Sequence, residues 1–125
     1  MTQVHAFADD ALGQDDAVAL SARIKRGACS VDDVLQAAMQ RLQQVDPQIN
    51  AVVEHNLEQA RQRAQTTAKN GLLYGVPTFI KDNLDLAGYA TRMGSDAITP
   101  HPARRDGAVT QQMLSSGLIL SLIHI

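Results

Sequence analysis

At 125 residues, with 45% hydrophobic residues and a formal net charge of −2, the chain has the size and apolar content of one domain with a buried core. The slight acidic excess excludes the basic footprint of a nucleic-acid binder. Cys29 is the single cysteine, which excludes an internal disulfide, fits a reducing cytoplasm and reads as a packing residue.

The opening "MTQVHAFADDALGQDD" carries acids where a signal peptide needs a basic start and an apolar middle. The longest apolar run, "GLILSLIHI", has nine residues, less than half of the roughly 20 that span a bilayer. These features describe a soluble cytoplasmic protein with no membrane association.

In chain order, "DDAVALSARIKRG" predicts a helix: Ala17, Leu20 and Ile24 recur at helical spacing, an aspartate pair opens the run and Gly27 closes it. In "SVDDVLQAAMQRLQQVDP" the residues Val31, Val34, Leu35, Ala38, Leu42 and Val45 form one apolar stripe. Ser30 is its expected N-cap, Asp32 and Asp33 suit the positive end of the helix dipole, and Pro47 is expected to prevent continuation. "INAVVEHN" reads as a short strand or an extended connection. "LEQARQRAQTTAKNG" returns to helical spacing through Leu57, Ala60, Ala64 and Ala68, with Asn70-Gly71 as its expected stop.

After Gly71 the composition changes. "VPTFI" is β-branched and aromatic and predicts a strand ending on Lys81, Asp82 and Asn83. "DLAGYATRMGSDAITPHPARRD" holds turn residues throughout and no sustained period, which predicts a long loop, and loops of this length inside a compact domain are usually functional or disordered. "DGAVTQQMLSSG" predicts a helix capped by Asp106, with Val109 and Met113 on one face and Gly117 as its stop. "LILSLIHI" predicts a second strand, parallel to the first across the intervening helix.

Strand alternation puts Pro77, Phe79 and Lys81 on one face and Val76, Thr78, Ile80 and Asp82 on the other. Lys81 would then continue an apolar face, away from its neighbouring carboxylate. Desolvation there would lower its pKa from the usual value of about 10.4, and a lysine must be neutral to accept a proton. The rival reading is a strand-end lysine whose ammonium reaches water, with Asp82 and Asn83 as turn formers.

The stretch "GLLYGVPTFIKDNLDLAGYATRMGS" closely resembles the core of the amidase signature family: Gly-x-Leu-x-Gly-(Val/Ile)-Pro, apolar residues, Lys-Asp-Asn, then a Thr-x-x-Gly-Ser loop. "VDPQINAVVEHNLEQARQRA" resembles that family's N-terminal region, and "RRDGAVTQQMLSSGLIL" the helix and strand after the loop, so the resemblance spans most of residues 12 to 120. It implies an α/β fold, with N-terminal helices packed on part of a mixed sheet. It also implies amide hydrolysis by a serine nucleophile, a second serine in a cis peptide and a lysine, without metal or organic cofactor. Lys81 matches the catalytic lysine, and Thr91, Met93, Gly94 and Ser95 match the loop beside the substrate pocket.

The pattern breaks downstream. The Gly/Ser-rich segment that carries both catalytic serines is missing, and where relatives have Gly-Lys-Thr-Asn after the strand matching "GLIL", this chain reads "SLIHI". The expectation is therefore an incomplete amidase-signature fold: residues 1–125 as the N-terminal portion of a single, longer amidase domain, with 121–125 departing from the family, and inactive alone. Ser115 and Ser116, just before Gly117, read as helix-end residues rather than the missing pair. His5, His55, His101 and His124 show no ligand spacing, so no metal site is expected. Arg104-Arg105 reads as a solvated loop pair.

The expected partner is a small amide substrate; nothing in the sequence excludes a homo-oligomer. Two other readings stand beside this one. One is the amidase subunit of a tRNA-dependent amidotransferase, against which the "ATRMGS" loop leans. The other is a non-catalytic helical module that docks a partner through the stripe of residues 31 to 45.

Overall fold

Four helices and three strands order the chain in a computed structural model that describes residues 3–124. Helix α1 (Ala17–Lys25) starts where the Asp16 carboxylate accepts from the Ala19 amide, and Gly27 closes it in the left-handed region at φ 77°. Helix α2 (Val31–Ile49) opens on a capping box in which Ser30 and Asp33 exchange side-chain and backbone hydrogen bonds. Those bonds from Ser30 hold the Asp33 carboxyl below the usual carboxylate range.

Contrary to the expected stop, α2 runs through Pro47 for two further residues. Proline removes one N–H and crowds the carbonyl four residues back, a cost easily borne in a last turn. The end is made instead by Asn50, left-handed at φ 48°, whose amide donates to the Asp46 carbonyl (2.7 Å). The Asp46 carboxylate then accepts from Ala51 and Val52 (2.8 and 3.1 Å) and turns the chain into strand β1 (Val52–His55).

Helix α3 (Leu57–Thr66) ends before the expected Asn70-Gly71. The hydroxyls of Thr66 and Thr67 both donate to the Arg63 carbonyl, a local competition that closes the helix early. Strand β2 (Pro77–Lys81), helix α4 (Ala108–Ser115) and strand β3 (Ile119–His124) follow, with the long irregular connection between β2 and α4.

The three strands form one mixed sheet in the order β1-β3-β2, with β3 antiparallel to β1 and parallel to β2, as the strand–helix–strand pattern requires. The β2–β3 register slips once: Thr78 pairs with Leu120 but Phe79 with Leu122, leaving Ser121 as an extra residue. Through that bulge Leu120 and Ile123, three apart in sequence, enter the same cluster with Ile80, Leu86 and Tyr89, against which Met113 and Leu114 of α4 pack. Ile119 instead meets Leu35 of α2 and Ala60 of α3. The small side chains of α3, Ala60 and Ala64, let it approach β3 closely while contributing little apolar area.

A third cluster joins Leu20 and Ile24 of α1 to Val34, Tyr74 and Val76, with Cys29 packed against it as expected. The buried Ser21 hydroxyl donates to the Tyr74 carbonyl (3.0 Å), so α1 docks without an unpaired polar group there. Residues 71–75 run against 116–117, Leu73 and Gly75 donating to the carbonyls of Ser116 and Gly117 (2.8 and 3.0 Å). Gly71 has no room for a side chain: a Cβ there would stand 2.6 Å from the Ser116 oxygen.

Ahead of α1, Asp10 receives a two-pronged bond from Arg41 of α2 (2.6 and 2.7 Å), and the same guanidinium reaches the Gly13 carbonyl. That strap holds residues 8–13 over α2. The Arg41 hydrogen bond is the main cause of the lowered Asp10 pKa.

Two measurements check this packing. Gly71→Ala is expected to lower the urea midpoint by an amount equivalent to about 1–3 kcal/mol, the usual cost of forcing atoms into a filled site. An unchanged midpoint would show that the two segments separate freely. Because the folded Asp10 pKa is depressed, its contribution is present above the unfolded value near 3.9 and is lost as pH falls through the folded one. Carboxyl titration by NMR should find Asp10 below that value in the parent chain and shifted up towards it in Arg41→Ala.

Candidate active site

The last four residues of the VPTFIKD run show strict alternation. Ile80 and Asp82 point inward, 1% and 3% exposed, while Phe79 and Lys81 point outward and are exposed. Lys81 does share its face with Phe79, as expected, but that face is the wet one. The expectation of a dry Lys81 is corrected. The cover over the end of β2 comes from Leu86, Tyr89 and α4, and it lies on the Ile80 side. On the other side, α2 stands over the start of β2, and Phe79 meets His124 edge-on at 5.6 Å.

The buried charge at the strand end is therefore the carboxylate. Asp82 meets the requirement for partners with backbone amides of the long loop: Arg92 donates to Oδ1 (2.9 Å) and Gly94 to Oδ2 (3.2 Å). Between them the Met93 amide donates to the Asp82 carbonyl (2.9 Å), and the Asp82 amide donates to the His124 carbonyl (2.7 Å). Wrapping three consecutive residues around one aspartate requires left-handed backbone at Met93 (φ 54°) and Gly94 (φ 65°). Met93, a residue type that seldom adopts this conformation, stands exposed at the loop's tip.

Two further aspartates shape the loop. Asp85 accepts from the Thr91 hydroxyl (2.7 Å), and its carbonyl accepts from the Thr110 hydroxyl and the Gly107 amide (2.7 and 3.0 Å). Asp106, expected to cap α4, accepts instead from the Ala87 amide (2.8 Å), and Gly107 takes the cap position without a side-chain bond. The bond to Ala87 keeps the Asp106 carboxylate on the loop. Thr91, Met93, Gly94 and Ser95 are thus brought to the end of β2 that carries Lys81.

The sequence reading took Asp82 for a turn former and missed its role. The available signal was its place in the alternation, two residues after Ile80 on the same face. Tyr89, beside Ile80, lies under the Arg63 guanidinium at 5.9 Å from the ring centre. Burial pushes its phenol pKa up, Arg63 opposes the shift and Glu54 adds to it.

Ser115 and Ser116 spend their hydroxyls on the carbonyls of Gln112 and Met113 (2.8 and 2.6 Å), as ordinary helix-end residues do. Arg104 and Arg105 are exposed. Among the described residues no group of three or more His, Cys, Asp or Glu side chains could hold a metal ion, and no helix is long and apolar enough to cross a membrane. An open groove of about 460 Å³ lies on the Phe79 side of the sheet, between Pro77 and Phe79 and the second half of the α2 stripe, Leu42 and Val45.

This arrangement has counterparts among known proteins. The family profile described as Amidase matches residues 33–121. The chain is 43% identical over 120 residues to a putative amidase AmiC of Mycobacterium tuberculosis (strain ATCC 25618 / H37Rv), covering 95% of this chain and 25% of the relative. To the putative amidase AmiC of Mycobacterium leprae (strain TN) it is 46% identical over 117 residues, covering 94% and 25%. The fold is similar to that of native peptide amidase from Stenotrophomonas maltophilia, with a TM-score of 0.78 at 26% identity, over 89% of this chain and 24% of that structure. The chain spans about a quarter of the length of the curated relatives it matches. The profile match covers well over half of the chain and includes both the lysine strand and the loop that Asp82 holds, so the chain belongs to the amidase signature family.

Proposed function

We propose that the chain is the N-terminal portion of a single amidase domain that hydrolyses a carboxamide C–N bond, with Lys81 as its general base. The observation that carries this reading is the joining, at one strand end, of a lysine and a substrate-type loop through Asp82. In the proposed reaction a serine hydroxyl attacks the amide carbonyl while its proton passes through a bridging serine to the Lys81 amine. Backbone N–H groups stabilise the tetrahedral oxyanion, the C–N bond breaks, and the amine leaves with a proton. Water then releases the acyl group as a carboxylic acid. Both serines belong to parts of an amidase that this chain lacks.

The exposure of Lys81 bears on the same proposal. A neutral amine needs a site from which water is excluded, and the face that Lys81 shares with Phe79 is open here. The missing cover would come from the same remainder that supplies the serines. Its substrate would be a small amide, the site would need neither metal nor organic cofactor, and the setting would be cytoplasmic. The first half of the α2 stripe is already committed to the chain's own core, with Val34 and Leu35 buried, which weighs against a module that docks partners through the whole stripe.

Ammonia release from carboxamides tests the proposal. The 125-residue chain alone is expected to show none, whereas the longer protein that contains it should hydrolyse amides. There, Lys81→Ala should lower kcat by about a hundredfold or more, the usual scale for a lost general base. Hydrolysis by the isolated chain would overturn its proposed dependence on the absent serines, and full activity in Lys81→Ala would remove the lysine from the mechanism.

A further inference from the structure

We propose that Asp82 is a positioning residue: its buried carboxylate locks residues 92–94 to the strand end that carries Lys81, so that the lysine and the substrate loop form one rigid unit. Its bearing on catalysis rests on the amidase reading above, whereas the lock itself does not.

The case begins with burial. Asp82 is 3% exposed and sits next to Ile80 on the inner face of β2, where a carboxylate needs hydrogen-bond donors. Among the described residues Asp82 has no ion pair. Both its oxygens are met by loop amides, from Arg92 at 2.9 Å and Gly94 at 3.2 Å. Charge-assisted bonds of this kind are the stronger class, and a buried carboxylate that lost them would be left without compensation. The backbone completes the lock, because Met93 donates to the Asp82 carbonyl. Three successive loop amides are therefore committed to one residue.

The loop's conformation points the same way. Met93 and Gly94 both occupy the left-handed region, which for Met93 carries a cost that persists only where surrounding contacts impose it. Two sets of contacts hold it: the bonds to Asp82 at residues 92–94, and a local turn in which the Ser95 amide donates to the Arg92 carbonyl (3.1 Å). The Thr91 hydroxyl bond to Asp85 anchors the loop's first residue independently, so the action of Asp82 falls on 92–94. Since Lys81, the last residue of β2, directly precedes Asp82, any shift of the carboxylate's backbone would move loop and lysine together.

The test replaces acceptors while keeping the branched shape of the side chain. In the 125-residue chain, Asp82→Leu removes both side-chain acceptors, and Asp82→Asn keeps one oxygen and puts an NH2 group, which cannot accept, in place of the other. Amide hydrogen exchange read by NMR is expected to accelerate about tenfold or more at both Arg92 and Gly94 in Asp82→Leu, and at one of the two in Asp82→Asn. Exchange at Val34 and Leu35 reports the core and should change far less. If the side chain only fills space, Asp82→Leu will resemble the parent. Unchanged exchange at 92 and 94, or acceleration merely in step with the core, overturns the lock.

Lys81→Ala should leave exchange at 92 and 94 as in the parent, which separates the lock from the amidase chemistry. In the longer protein, kcat/KM for a carboxamide should fall in the order parent, Asp82→Asn, Asp82→Leu. A freed loop with undiminished hydrolysis overturns the positioning role, whereas hydrolysis that survives Lys81→Ala overturns the lysine assignment and leaves the lock standing.

Discussion

A carboxylate turned inward at the end of a strand is the constraint on which this molecule's candidate site depends. Asp82 cannot lie beside Ile80 without hydrogen-bond donors, and the chain meets that need with the amides of Arg92 and Gly94. The irregular segment 82–107 is thereby tied near its middle to the strand that precedes it. Asp85 and Asp106 repeat the device at smaller scale, one holding Thr91 and the start of α4, the other the Ala87 amide. Three aspartates thus order the loop alongside the apolar packing of Leu84, Leu86 and Tyr89.

Strand β3 does the corresponding work for the sheet. It lies between β1 and β2 and joins them in opposite senses, so each strand's register is set against it. The extra residue at Ser121 matters because unbroken alternation would put Leu120 and Ile123 on opposite faces. With the bulge both join Ile80, and the cluster that buries Asp82's side of β2 is continuous. The close run of 71–75 against 116–117, for which Gly71 leaves only backbone, brings the segments entering β2 and β3 together.

The two charges that end β2 have opposite fates for one reason: adjacent strand residues face opposite ways. Asp82 is enclosed and fully hydrogen-bonded, while Lys81 shares the open face with Phe79. The groove beside Phe79, lined by the second half of the α2 stripe, belongs to the same uncovered side. An apolar groove and an exposed lysine thus share one face of a chain that spans about a quarter of its curated relatives.

Local pattern determined much of this protein. The helical stripes, the Ser30 cap, the parallel pairing implied by strand, loop, helix and strand, and the alternation of residues 79–82 all follow from neighbours in sequence. So did the family, because Lys-Asp-Asn and the later Gly-Ser loop stand in the family's order. Errors arose where a residue's partner lies far along the chain or a local rule met a competing contact: Pro47 was outweighed by Asp46 and Asn50, and Asp106 turned from its own helix to Ala87. The central error had the same origin. Alternation separates Lys81 from Asp82, but it cannot say which face is dry, since that depends on what packs from outside the strand. Leu86, Tyr89 and α4 packed on the Ile80 side, so the tertiary structure buried the carboxylate and left the amine in water.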